Sequence, residues 1–199
     1  MKPYKEANDR LYEIAGAQQG YFTAKQAIAA GYADNTHTFH VKSGNWIREY
    51  RGIYRLAKYP QPERPDLIRW FLWSRGHDDK PQGVYSHQTA LSIYDLSDIM
   101  PPKIHMTVPP GFHRYGPIPK ILVLHRSKLH PSETESMQGF RVTRPLRTIS
   151  DLTRNGSVSG DFIKQAVTEA LKRGLLSRSE IRKSTRLSKT ARRKIAAMI

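Results

Sequence analysis

Residues 20–59 read GYFTAKQAIAAGYADNTHTFHVKSGNWIREYRGIYRLAKY, two short helical patterns followed by a basic, aromatic-rich hairpin. Thr23 with Gln26 three residues on is a capping-box pattern; it opens a helix over Ala24–Ala30 that Gly31 stops. Asp34 is placed to cap a further helix, closed by Gly44. Trp46–Tyr50 and Ile53–Leu56 are rich in aromatic and β-branched residues, as strands are, and Gly52 meets the positive-φ demand of the turn at Arg51-Gly52. Upstream, Tyr4, Ala7, Leu11 and Ile14 recur at steps of three and four, one stripe of an amphipathic helix. Helices followed by a hairpin are the order of a winged helix-turn-helix, which lays one helix in the major groove of DNA with a wing beside it.

The turn between the second and third helices, Gly31-Tyr32-Ala33, is as short as a helix-turn-helix requires. With Ala33, His37, Val41 and His40 inward, the third helix turns Asn35, Thr38, Phe39 and Lys42 outward; an inward Phe39 would rotate that face by about 100°. Asn35 has the chemistry to read adenine, Thr38 to meet a thymine methyl or a phosphate, and Lys42 to meet phosphate or guanine. Thr36 and, on the second helix, Lys25 complete the helical set. On the hairpin Arg48, Tyr50, Arg51 and Arg55 are candidate phosphate or minor-groove contacts.

Charge supports a polyanionic partner. The 199 residues carry a formal charge of +16, and residues 151–199 hold twelve basic side chains against four acidic. Residues 182–199 contain seven basic residues and no acidic one, so Arg182, Lys183, Arg186, Arg192 and Arg193 form a candidate basic contact surface. The chain contains no cysteine, which excludes disulfides, cysteine-based zinc sites and a thiol nucleophile. No apolar run approaches the roughly 18–20 residues of a membrane span and the N-terminus lacks a signal-type apolar core; the expectation is a cytoplasmic protein without membrane contact.

Three prolines within residues 60–65 suggest a stiff linker, dividing a winged helix-turn-helix at 1–60 from a second domain at 61–199. Pro65 starts a helix with Leu67, Ile68, Phe71 and Leu72 on its apolar face and Trp70 and Trp73 packed in a core. Beyond it Ser86 caps a helix through Tyr94, strands are expected at Ile104–Val108, 121–124 and 140–142, and helices at 145–152, from Asp161 (stripe Ile163, Val167, Ala170 and Leu171), and after the Ser177/Glu180 capping box. The fold class is therefore α+β: an N-terminal winged helix-turn-helix followed by a mixed α/β domain.

The pattern GYFTAKQAIAAGY, then SGNWIREYRGIYRLAKYP, closing on Arg51, Gly52, Ile53, Tyr54, Arg55 and Leu56, resembles the N-terminal winged helix of AbiEi-type antitoxins of type IV toxin–antitoxin systems. YSHQTALSIYDL (85–96) and FRVTRPLRTISDL (140–152) resemble that family's second domain. The resemblance implies operator DNA with inverted repeats, autorepression, and a neighbouring nucleotidyltransferase toxin that the second domain opposes. Rival readings are a stand-alone winged-helix regulator and an RNA-binding or nuclease-related protein.

Enzyme signatures are weak. His37 and His40 stand at a metal-compatible spacing, but no third ligand follows and packing or DNA contact is favoured. No Walker lysine follows a Gly-rich loop and no G-x-S-x-G occurs. Asp78-Asp79 sits in GHDDKPQG, which reads as a surface turn, and His87 beside the Ser86 cap reads as structural. Arg147 and Asp151 read as a helical ion pair worth a few tenths of a kcal/mol. No catalytic residue, metal or cofactor is expected.

Overall fold

The computed structural model describes residues 2–199, with side chains from Lys5 onward; Tyr4 of the first stripe lies outside the described side chains. The chain forms two compact units, Met1–Gln82 with Ser136–Phe140, and Gly83–Glu135 with Arg141–Ile199.

The first unit begins with α1 (Lys2–Gly16), β1 (Tyr21–Thr23) and α2 (Ala24–Ala30). The capping box at Thr23 is complete: its hydroxyl accepts from the Gln26 amide at 3.1 Å, and the Gln26 side chain accepts from the Thr23 amide at 2.8 Å. Gly31 ends α2 at φ +114°, where a Cβ would stand 3.1 Å from the Arg10 guanidinium. A 3-10 turn over Asp34–Thr36 leads into α3 (His37–Lys42), with Ala33 and not Asp34 before the turn. Asp34 instead lies 3.5 Å from His37 Nδ1. β2 (Trp46–Tyr50) and β3 (Ile53–Leu56) form the wing, and β3 also pairs with β1, giving the sheet order β1-β3-β2. This is a winged helix. Its core gathers Leu11, Ala15, Phe22, Ala27, Tyr32 and Trp46.

The second face of that sheet is covered as well. α4 (Pro65–Trp73) places Trp70 edge-on to Tyr50, with ring centroids 5.2 Å apart, and Arg69 3.3 Å from Glu49. Trp70 and Trp73 are both buried, as their sequence context predicts. The first compact unit therefore runs through α4 to Gln82, whereas the proline content of 60–65 pointed to a boundary at 60. A single apolar helix face supplies the reason: a sheet with buried side chains on both faces needs a cover on each.

The second unit contains β4 (Val84–Tyr85), α5 (His87–Tyr94), β5 (Ile104–Val108) and β6 (Leu122–Arg126). After β7 (Thr134–Met137) and β8 (Phe140–Thr143) come α6 (Pro145–Asn155), α7 (Gly160–Lys172), α8 (Arg178–Lys183) and α9 (Lys189–Ala196). The five-stranded sheet has the order β6-β5-β4-β8-β7 and is mixed, since β5–β6 and β4–β8 are parallel while β4–β5 is antiparallel. Ile149 and Leu152 of α6, Val167 and Ala170 of α7 and Ile195 of α9 are fully buried. The basic C-terminal stretch is thus two anchored helices, with Ile181, Leu187, Ala191 and Ile195 inward.

Candidate nucleic-acid interface

Helix α3 presents its polar side outward because its other side is locked onto Trp46. His40 stacks on the Trp46 ring at 4.6 Å and 24°, and His37 lies 5.3 Å from the same ring. Burial lowers the pKa of both imidazoles, so they pack as neutral aromatic plates. With His37 and His40 inward, Asn35, Thr38, Phe39 and Lys42 are exposed and Thr36 is half-buried. Phe39 is 65% exposed, which settles the phase of the helix. Ala33, expected inward, is exposed, because the 3-10 turn shifts the chain before α3 begins. Lys25 is exposed on α2 and its ammonium donates to the His77 carbonyl at 3.1 Å.

The wing divides its candidates. Arg48 and Arg51 are exposed. Arg55 is not available: it is 9% exposed, its Nε lies 3.1 Å from Glu49 Oε1, and its Nη1 donates to the Tyr59 carbonyl. The cause is register. Arg55 stands opposite Ile47 and one residue from Tyr54, on the sheet face that α4 covers, whereas Tyr54 packs toward the Phe22–Trp46 core. Tyr50 is half-buried against Trp70.

The wing turn is fixed from behind. The Gly52 carbonyl accepts from the Ala24 amide at 3.0 Å and from Arg75 Nη2 at 3.2 Å. Arg75 Nε lies 2.8 Å from Asp79, and Asp79 in turn accepts from the Thr23 hydroxyl at 2.7 Å. Asp79, read from sequence as part of a surface turn, therefore belongs to a clasp joining the start of α2 to the wing tip. Nothing local in GHDDKPQG marks it, since its partners lie 56 and four residues away.

The basic candidates of the second unit also separate. Arg182, Lys183, Arg186 and Arg193 are exposed, but Arg192 is half-buried and donates to the Ser184 carbonyl, tying α9 to the end of α8.

Sequence reasoning missed the polar interior of the second unit. His87 and His125 stack at 3.6 Å and 12°, and His105 Nδ1 lies 3.0 Å from His125 Nε2. Ser86 is the N-cap residue of α5, as expected, but its side chain makes no cap bond; its hydroxyl oxygen accepts from Thr107 at 2.8 Å and lies 3.0 Å from His87 Nδ1. Burial and the neighbouring histidines push His87 down to about 3 and His105 to about 4, and burial also lowers His125. His87 holds a left-handed backbone, φ +54°, which the surrounding packing must enforce. On α6, Arg147 lies between Asp151 at 2.8 Å and Glu133 at 3.1 Å, with its side chain 13% exposed. Burial works against the Arg147 charge, but the two carboxylates outweigh it and hold the guanidinium protonated. The helical i,i+4 pair is present as its spacing suggested, and Glu133 extends it into a triad in which Asp151 is buried and Arg147 and Glu133 are nearly so. The parallel strands β5 and β6 are the signal that could have located the histidines, since they set His105 and His125 on neighbouring strands.

In fold, then, the N-terminal unit is a winged helix with an exposed polar helix face and two exposed arginines on its wing. Residues 9–57 match the family described as "Transcriptional regulator, AbiEi antitoxin". No curated protein matches the sequence. Among solved structures, the crystal structure of the RV2827C protein from Mycobacterium tuberculosis is similar, with a TM-score of 0.58 at 10% identity. The match covers 96% of this chain and 75% of that one, and shows a shared fold. No helix among the described residues is long and apolar enough to cross a membrane.

Proposed function

We propose that the protein is a cytoplasmic DNA-binding antitoxin that represses its own operon through the winged helix and whose second unit opposes a nucleotidyltransferase toxin. The observation that carries the DNA reading is the exposure of Thr38, Phe39 and Lys42 on α3 together with Asn35 in the 3-10 turn that leads into it, with α3 held by the packing of His37 and His40 on Trp46. α3 enters the major groove. Asn35 reads base edges, Thr38 and Phe39 meet thymine methyls, and Lys42 and Thr36 engage the backbone. Arg48 and Arg51 clamp adjacent phosphates, and Lys25 lies on the helix that crosses the backbone. Arg55 serves the wing's geometry and not the DNA. The match of residues 9–57 to antitoxin regulators supports the repressor role, and the motifs at 85–96 and 140–152 support a toxin-directed second unit. Inverted repeats in the operator suit a small reading head that binds each repeat separately.

Footprinting of the full chain on the DNA upstream of its gene tests this reading. Paired protected repeats are expected, and Asn35→Ala with Thr38→Ala should change the preferred bases within each repeat. Protection without sequence preference, or a preference unmoved by those substitutions, would refute the assignment of α3.

A further inference from the structure

The second unit contains a cleft of about 450 Å³ between the start of α6 and the chain joining α8 to α9. That volume is in the range of small-ligand sites. Arg144, Arg154, Lys183 and Arg186 line it and are all exposed. Their anionic neighbours are few. Arg144 comes no closer than 3.9 Å to Glu135 and Arg154 no closer than 4.0 Å to Asp151. No ion pair engages Lys183 or Arg186 among the described residues, and Glu180 is the one lining carboxylate without a cationic partner there. The other lining carboxylate, Glu133, is occupied by Arg147 and by the His130 amide.

The floor of the cleft is the N-terminus of α6. Its N-cap is Arg144, which makes no side-chain cap, and the first turn holds no acidic residue. The amides of Leu146 and Arg147 fall in the first turn, where a helix offers them no partner, and both residues line the cleft. Ser150, one turn further on, also lines it; it is 2% exposed, and its hydroxyl enters no hydrogen bond among the described residues. A bare helix N-terminus with an unbonded hydroxyl about one turn along the same helix, in a cleft lined by four weakly engaged cations, is complementary to an anion with several oxygens.

We propose that this cleft binds a phosphate-bearing small molecule of nucleotide size. A phosphoryl group sits on the N-terminus of α6 and on Ser150, and Arg144, Arg154, Lys183 and Arg186 take the remaining oxygens. Four cations against one free carboxylate suit a di- or triphosphate better than a monoanion such as a carboxylate. This site is independent of the operator reading, which rests on α3 and the wing, so either can fail alone.

Calorimetric titration of the full chain with inorganic pyrophosphate, with ATP and with adenosine tests it. Pyrophosphate and ATP should bind saturably at one site, and adenosine should not bind. Tighter binding of ATP than of pyrophosphate would assign the ligand as a nucleotide; equal affinity would assign an inorganic oligophosphate. Lys183→Ala with Arg186→Ala should weaken binding roughly tenfold or more, the loss of charge-assisted hydrogen bonds. Arg182→Ala with Arg193→Ala removes the same charge from α8 and α9 outside the cleft and should leave the affinity unchanged. Equal losses in the two double variants, no saturable binding of either phosphate, or displacement of pyrophosphate by duplex DNA would overturn the proposal.

Discussion

Both units turn ion pairs inward, Arg55–Glu49 and Arg75–Asp79 in the first and Arg147 with Asp151 and Glu133 in the second, but they place their histidines and their exposed polar groups differently. In the winged helix the interior is aromatic and the polar groups with no internal work, Asn35, Thr38, Lys42, Arg48 and Arg51, face outward. In the second unit a guanidinium, two carboxylates and three imidazoles are buried or half-buried, and four of its exposed cations border a cleft. The first arrangement makes a rigid surface whose chemistry can change without unfolding it. The second ties stability to ionisation, so that its polar residues cannot be altered without structural cost. The histidines illustrate the contrast: His40 stacks on Trp46 with His37 tilted against the same ring, whereas His125 stacks on both His87 and His105.

The largest expected effect falls on the buried triad. Arg147→Met strands Asp151 and Glu133 without their cation and should destabilise the second unit by about 3–5 kcal/mol, measured by denaturant unfolding. Burial already lifts the Asp151 carboxyl above its ordinary value, and the variant's Asp151, without the Arg147 charge, should take up a proton at a higher pH than in the unmodified chain. A loss below about 1 kcal/mol would mean the triad is solvated and the contrast between the units is false.

Acid should act next, on the second unit most, since His37 and His40 of the winged helix are lowered by burial as well. The folded values of His87 and His105, about 3 and about 4, lie below the ordinary 6.5 of an unfolded histidine. The unfolded chain therefore binds more protons once pH falls below about 6.5, so stability is complete above that pH and drains away as pH drops toward 3. The loss by pH 4 should be on the order of a few kcal/mol, read as a falling melting temperature. His87→Asn with His105→Asn, which removes the two titrating imidazoles, should flatten that slope; a wild-type slope in the variant would place the proton uptake elsewhere.

Within the winged helix, Arg55→Ala should cost about 1–3 kcal/mol by breaking its bonds to Glu49 and Tyr59, with the salt dependence of DNA binding unchanged. Thr23→Ala should cost about 1–2 kcal/mol, since it removes both the cap of α2 and the hydroxyl that Asp79 holds. A Thr23→Ser variant should recover most of it; failure to do so would dissolve the clasp.

Much of the winged helix was legible because its determinants are local. A capping box, glycines at helix ends and a two-residue turn are set by neighbours within a few positions, and α2, β2 and β3 fall where these signals put them. The phase of α3 was also legible, with Phe39 as its ambiguity. Arg55 was misread because the cover on its face, α4, comes a dozen residues later and strand alternation alone does not tell which face is buried. The short strands β1, β4 and β7 carry too few residues for a period-two pattern. The histidine cluster and the clasp at Asp79 were invisible for a related reason: each joins residues 18 to 56 positions apart through sheet pairing and loop packing.

The most direct test of the DNA-binding claim is the salt dependence of operator affinity for the full chain and for Arg48→Ala with Arg51→Ala. If both guanidinium groups contact phosphates as proposed, their removal should lower the slope of log affinity against log salt by about 1.8 and weaken binding to all sequences alike. A slope identical to that of the unmodified chain would place the DNA on another surface and remove the wing from the mechanism.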